Sequence, residues 1–211
     1  MFRIYYICHI IQPVIIIAVV ILSIVLHEIA HGYAANALGD PTARLAGRLT
    51  LNPLSHLDLF GSVIVPAITW FSGGFIFGWA KPVPYNPYNL KAGKYSEALV
   101  AGAGPATNLL LALIFGLTLR FFGDVLPEGF VVVGITITIV NIALAIFNLI
   151  PVPPLDGSKI LASVLPFSQA KFLLSLERYG FLLVFVFLLV AWSFISPVIR
   201  GLFTIITGFG F

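Results

Sequence analysis

The sequence predicts an all-α polytopic membrane protein, a helical bundle of about four to six membrane segments. Three observations predict it. Charged residues make up 9% of the 211-residue chain and hydrophobic residues 60%, against roughly 25% charged in a soluble domain. Mean hydropathy is +1.08. Several apolar runs also reach the roughly 20 residues that a spanning helix needs. The whole of residues 1–211 reads as one integral membrane domain, with a core over about 13–165 and C-terminal membrane segments over about 175–211.

A formal charge of +3 from eleven Lys and Arg would hint at nucleic acid in a soluble protein. Here those residues are scattered over short loops and read as orientation signals, so a nucleic-acid partner is not expected and a lipid bilayer is. The single cysteine, Cys8, excludes an internal disulfide and a cysteine zinc cluster.

Taken in order, the first helix is expected from about Pro13, a favoured helix-start residue, to about Leu38, with Gly39 and Pro41 supplying the stop. No small-residue cleavage site follows its apolar run, which reads as a retained helix. Arg44–Leu51 alternates polar and apolar residues and suggests a short strand or hairpin, ended by Asn52-Pro53. Leu59–Gly78 is apolar but interrupted by Pro66, Gly73 and Gly74, a pattern that suits a re-entrant or bent segment better than a full span. Residues 79–95 form a Pro/Asn-rich loop with three lysines, a solvated linker whose Pro-x-Pro backbone is also placed to border a substrate path.

A helix over about Ser96–Phe121 opens with Ala98, Ala101, Gly102, Ala103, Gly104 and Ala106, small residues that allow close helix packing. Asn108 inside it is a polar group at membrane depth and requires a partner. Gly123–Gly129 is a turn, and the charge-free run Phe130–Ile150 is a spanning helix despite its β-branched residues. The prolines at 151, 153 and 154 break it. A short helix over about Ser158–Leu165, a helix from about Glu177 to Phe194 and an apolar tail at 197–211 complete the chain.

The chemistry centres on His27-Glu28-Ile29-Ala30-His31. Helix positions i and i+4 share a face, so His27 and His31 can offer two nitrogens to one metal ion. Glu28 is rotated by about 100°, beside the metal and free to act as a base. The chemistry this suggests is peptide hydrolysis by zinc-activated water. The alternative, satisfied core histidines or a helix end dipping into water, fits poorly with three ionisable groups following the charge-free run 13–26.

Catalytic zinc takes three protein ligands as a rule. His9 lies several turns away, and Asp124 and Glu128 lie in the distant turn, which leaves His56, Asp58 and Asp156. Asp156 is the best of these, since the proline-rich break frees it from helical geometry. Its competing role is an N-cap of the helix that begins at Ser158, and spacing alone leaves the two even.

The pairing of His27-Glu28-Ile29-Ala30-His31 with Asn148-Leu149-Ile150-Pro151-Val152-Pro153-Pro154-Leu155-Asp156-Gly157 resembles the site-2 protease family of intramembrane zinc metalloproteases. Gly47–His56 and Ala103–Asn108 also look like segments of its small members, so the resemblance covers most of residues 20–165. It implies that His27, His31 and Asp156 hold one Zn2+ and that Glu28 activates water. It further implies that Asn148 and His56 are candidate aids to substrate or transition-state binding, and Asn108, the polar group at membrane depth, is a third candidate to face the site. The substrate it implies is a transmembrane segment of another protein, such as a membrane-tethered transcription factor, an anti-sigma factor or a remnant signal peptide. Unlike many members, this chain has no room for a PDZ or CBS domain.

The competing class is a non-proteolytic metal-binding membrane protein or a metal transporter. A transporter would want ligands strung along a path, whereas these are concentrated in one place. If 59–78 folds back, Arg44, Arg48, Lys81, Lys91, Lys94, Lys159, Lys171 and Arg178 share the site's face, leaving Arg3, Arg120 and Arg200 on the other. That split fits an active site nearer the cytoplasmic face of a prokaryotic cell membrane. A full crossing would make it seven against four, so charge alone hardly decides.

Overall fold

A computed structural model describes residues 2–65, 68 and 80–210 of the chain. Every regular element among the described residues is helical, and four helices are long and apolar enough to cross a membrane: Gln12–Ala37, Gly93–Phe122, Glu128–Asn148 and Val190–Thr207. The protein is a helical, polytopic integral membrane protein.

Helix α1 spans Phe2–Ala37 and carries Pro13 in its interior, so the helix begins well before the expected start. Gly39, at φ +106°, turns the chain out of α1. The strand expected over Arg44–Leu51 does not form. Residues Thr42–Leu45 make a single helical turn, α2, which Gly47 ends at φ +66°. Alternation there had no partner strand to pair with, and an unpaired strand leaves its backbone groups unsatisfied.

Short helical turns at Pro53–His56 and Leu59–Ile64 follow. The re-entry or crossing expected over 59–78 falls largely outside the described residues. Its flanks are informative: the Lys81 N–H donates to the His56 carbonyl at 2.8 Å, so the chain leaves and returns at one place.

Helix α3, Ser96–Phe122, is the hub. It packs against α1, against α4 (Glu128–Asn148), against α5 (Asp156–Val164) and against the last helix. Its buried positions, among them Val100, Ala101, Gly104, Asn108, Ala112 and Gly116, form one stripe of mostly small residues. Between lipid-solvated helices, association rests on close van der Waals approach, which such a stripe permits.

Helix α6 (Phe167–Ser175) and a short turn at Leu176–Tyr179 lead into α7, Gly180–Thr207. The sequence suggested a break between residues 194 and 197, but α7 runs through Pro197 unbroken. Membrane helices tolerate such a proline because neighbouring groups satisfy the freed carbonyl. A dry cluster of Ala112, Ile142, Ile199 and Phe203 joins α3, α4 and α7.

The C-terminal ends of α1 and α4 and the N-terminal ends of α3 and α7 meet at one end of the bundle, where Gly180 approaches Pro154. At the other end Arg120 donates to the Ile205 carbonyl at 2.6 Å. Both proline-rich stretches, 80–95 and 151–154, therefore gather at the end that holds the histidines.

Candidate metal centre

The i, i+4 spacing on α1 brings the two imidazoles together edge to face, with centroids 4.6 Å apart. Their Nε2 atoms are 3.0 Å apart. Asp156, the first residue of α5, completes the group: its Oδ2 lies 3.1 Å from His27 Nε2 and 3.3 Å from His31 Nε2. These three residues form the one three-donor group of this kind among the described residues. His56 and Asp58, the other candidates for third ligand, are not in it.

Backbone details explain how Asp156 arrives. A Cβ on Gly157 would collide with the carbonyls of Leu149 and Ile150. Only glycine lets the start of α5 fold back onto the end of α4. A Cβ on Gly104 would lie 2.5 Å from His31 Nε2 and 2.6 Å from His27 Nε2. The sequence suggests a packing glycine at 104, and its open face is occupied by the Nε2 atoms of His31 and His27.

The far side of each ring is tied down. His31 Nδ1 lies 2.7 Å from the Val100 carbonyl, which can only accept, so Nδ1 carries the proton. His27 Nδ1 lies 2.6 Å from Asn108 Oδ1, which likewise makes it the donor. Both Nε2 atoms then present lone pairs to one another and to a carboxylate.

Three acceptors facing one another at 3.0–3.3 Å are stable around a cation. Tetrahedral zinc with bonds of about 2.0–2.1 Å sets its ligand atoms about 3.3 Å apart. The donor set therefore fits zinc, and the Nδ1 hydrogen bonds to Asn108 and the Val100 carbonyl are of the kind that orient ligating histidines.

Glu28 stands beside this group. Its Oε2 accepts the backbone N–H of Val83 at 2.9 Å, which places the Pro82-Val83-Pro84 stretch across α1. Gly32 makes room for it, since a Cβ there would meet Leu49 and Val83 side chains at 2.5 and 2.8 Å. Asp40 anchors the same loop: it is fully buried and accepts from the Asn86 N–H at 2.6 Å and Asn89 Nδ2 at 2.8 Å.

His27, His31 and Asp156 open onto a cavity of about 170 Å³ whose walls include Glu28, Val83, Tyr85, Asn148 and Lys159. Lys159 sits over the Tyr85 ring, 5.4 Å from its centroid. Burial lowers its amine, but Tyr85 and Asp156 outweigh that, and the ammonium is held above its ordinary range.

Of the three looser sequence expectations, Asn148 lines the cavity while its amide nitrogen donates to Leu144 C=O at 2.9 Å. Asn108 stands behind His27 and is wholly buried, so it touches a candidate ligand and not the cavity. His56 is not among the cavity-lining residues; its Nε2–H donates to the Thr50 carbonyl at 2.9 Å, within its own loop. Sequence reasoning marked the Pro-x-Pro loop as a border to a substrate path, which Pro82 and Val83 on the cavity wall agree with, but it singled out none of Asp40, Val83, Tyr85 and Lys159 as site residues. Asp40 follows a helix-ending glycine and reads as turn chemistry, and a contribution made by a backbone N–H leaves no side-chain signal.

Comparison with known proteins bears on this site. The profile of Peptidase family M50 matches residues 120–191, which include Asp156. The Bacillus subtilis protein named "Putative zinc metalloprotease YwhC" is 37% identical over 182 residues, covering 81% of this chain and 78% of its own. The chain belongs to peptidase family M50. The Mycolicibacterium smegmatis protein named "Putative zinc metalloprotease Rip2" is 31% identical over 180 residues, 83% of this chain and 67% of its own. The "Zinc metalloprotease MJ0392" of Methanocaldococcus jannaschii is 24% identical over 160 residues, 76% of this chain and 34% of its own. No solved structure matches the chain.

Proposed function

We propose that this M50 peptidase is a zinc-dependent intramembrane endopeptidase, with His27, His31 and Asp156 as ligands and Glu28 as general base. It cuts other membrane proteins within or beside their spanning segments. The observation that carries the reading is the convergence of three metal-ligating atoms beside Glu28 inside a bundle of spanning helices. His27 lies ten residues before the end of the span Gln12–Ala37, about 15 Å at 1.5 Å per residue. That depth is about half the hydrocarbon thickness.

Zinc, when bound, supplies a Lewis acid that acidifies water and offsets negative charge on the scissile carbonyl oxygen. Glu28 takes the proton that the attacking water loses and returns it to the leaving amine. The Val83 N–H holds one of its carboxylate oxygens and leaves the other for that proton. Asn108 and the Val100 carbonyl keep both Nε2 atoms bare, and Asn148 on the wall is placed to donate to the developing oxyanion. A substrate helix must unwind locally, because its carbonyls are otherwise engaged in its own hydrogen bonds. A transport path would need further ligand groups along it, and the described residues hold one.

On this reading the chain works as one domain at a prokaryotic inner membrane, with the site nearer the cytoplasmic face, where most of its basic residues gather. Its substrates are single-span proteins of the kinds released by regulated intramembrane proteolysis: a tethered transcription factor, an anti-sigma factor or a remnant signal peptide. The test uses the purified chain in vesicles with a spanning peptide. Cleavage should stop after chelation and return with one equivalent of Zn2+; a rate indifferent to chelation would overturn the reading.

A further inference from the structure

The metal-facing nitrogen of His27 is specified by a hydrogen-bond chain that begins two helices away. The carbonyl of Ile137 on α4 can only accept. The Asn141 amide atom 2.9 Å from it must therefore be the nitrogen. The same nitrogen donates to Ser23 Oγ at 2.9 Å. That leaves Asn141 Oδ1 pointing at Asn108 as an acceptor, 2.8 Å from the Asn108 amide nitrogen. Asn108 Oδ1 is thereby turned to His27, whose Nδ1 must carry the proton. Each step has one permitted polarity, and the last leaves His27 Nε2 with its lone pair toward His31 and Asp156.

We infer that Asn141 is a positioning residue of the metal centre, setting the tautomer of His27 through the amide of Asn108. The inference rests on the zinc reading above and deepens it. Asn108 and Asn141 are both wholly buried, and Ser23 is 4% exposed, so no bulk water is at hand to replace a missing partner. Without Asn141 the Asn108 amide is free to turn over. Its NH₂ would then face His27 Nδ1, drive the ring proton to Nε2 and place that proton where the metal belongs. A buried polar chain across α1, α3 and α4 is also costly among lipid-solvated helices unless it is fully satisfied. Packing alone would be served by an apolar residue at 141.

The experiment measures zinc affinity of the purified full chain in detergent by competition with a chromophoric chelator. In parallel it reads the His27 ring tautomer by ¹⁵N NMR of the zinc-free protein. Asn141→Leu should weaken zinc binding 10- to 100-fold, the range for loss of an outer-shell partner, and give His27 a mixture of tautomers. Thr138→Val, equally buried and one turn away on α4 with its hydroxyl bonded to its own helix, should leave both unchanged.

Asn108→Asp accepts through either oxygen and no longer depends on Asn141 for its polarity, so in the Asn141→Leu background it should restore most of the lost affinity. Should the Leu variant fail to fold, Asn141→Ser carries the same expectation. Wild-type affinity with His27 held in the Nδ1–H form in the folded variant would overturn the inference. A wild-type chain that takes up no zinc, or whose affinity is unmoved by His27→Ala, would instead overturn the zinc reading beneath it.

Discussion

Gly104→Ala places one methyl group against the facing edges of the His27 and His31 rings. The added carbon would stand 2.5 Å from His31 Nε2 and 2.6 Å from both His27 Nε2 and Cε1. Relaxed contact needs about 3.5 Å, so the rings or α3 must give by about 1 Å. The rings have little freedom, since their Nδ1 atoms are held by Val100 and Asn108. Zinc ligand distances tolerate only about 0.2 Å. A displacement several times larger should reduce zinc affinity by at least 100-fold, about 2.7 kcal/mol.

Gly102→Ala is the internal control. It lies on the same helix with nothing within 4 Å, and alanine there should be neutral or stabilising by up to about 1 kcal/mol. Zinc content, chelator competition and thermal melting in detergent read out both variants. Full zinc occupancy and undiminished cleavage in Gly104→Ala would refute the argument that this glycine is the floor of the metal centre.

Three further outcomes follow from the same geometry. Glu28→Gln should keep zinc, since Glu28 is not among the three converging donors, and lose cleavage by a factor of about 10²–10⁴ in single-turnover assays. Gly157→Ala should lose zinc while retaining Asp156, because its Cβ would press on the Leu149 and Ile150 carbonyls; metal analysis of the purified variant checks this. Asp40→Asn should cost about 2 kcal/mol of stability at neutral pH, from weakened charge-assisted hydrogen bonds. Burial raises the Asp40 carboxyl, but its hydrogen bonds with Thr42, Asn89 and Asn86 outweigh that and hold it below 3.8. Its contribution is therefore fully present above about pH 3.8 and is lost as pH falls through the lower folded-state value. Melting curves of the two proteins should differ at pH 7 and converge in acid.

How much of this was legible in the sequence depends on which atoms did the work. His27 and His31 were legible because their spacing alone fixes a shared helix face. Asp156 was left even between ligand and cap by spacing, and the fold brings its carboxylate to the histidines. The spanning helices α3 and α4 were placed to within two residues at either end, because apolar length is their main determinant. Arg44–Leu51 misled because alternation describes a face and not a partner. The last helix was drawn as a helix to Phe194 and a separate tail, and it runs on as one element because Pro and Gly that would break a helix in water are accommodated in a bundle.

Gly104 was visible only as a small residue, and its role needed the two imidazoles placed opposite it. Asn141 and Ser23 did leave a signal, as polar residues in otherwise apolar helices, the same signal that drew attention to Asn108. The Val83 N–H left none, since its contribution to Glu28 comes from a backbone path set by Asp40 and Gly32.

The most direct test of the central claim is to map the cut. A peptide with one spanning segment, reconstituted in vesicles with the zinc-loaded chain, would be analysed by mass spectrometry for its product ends. The account expects new termini inside the spanning segment or at its edge, absent with Glu28→Gln and absent after zinc removal. Products cut only in a water-exposed loop well outside the segment, or termini that persist with Glu28→Gln, would contradict it.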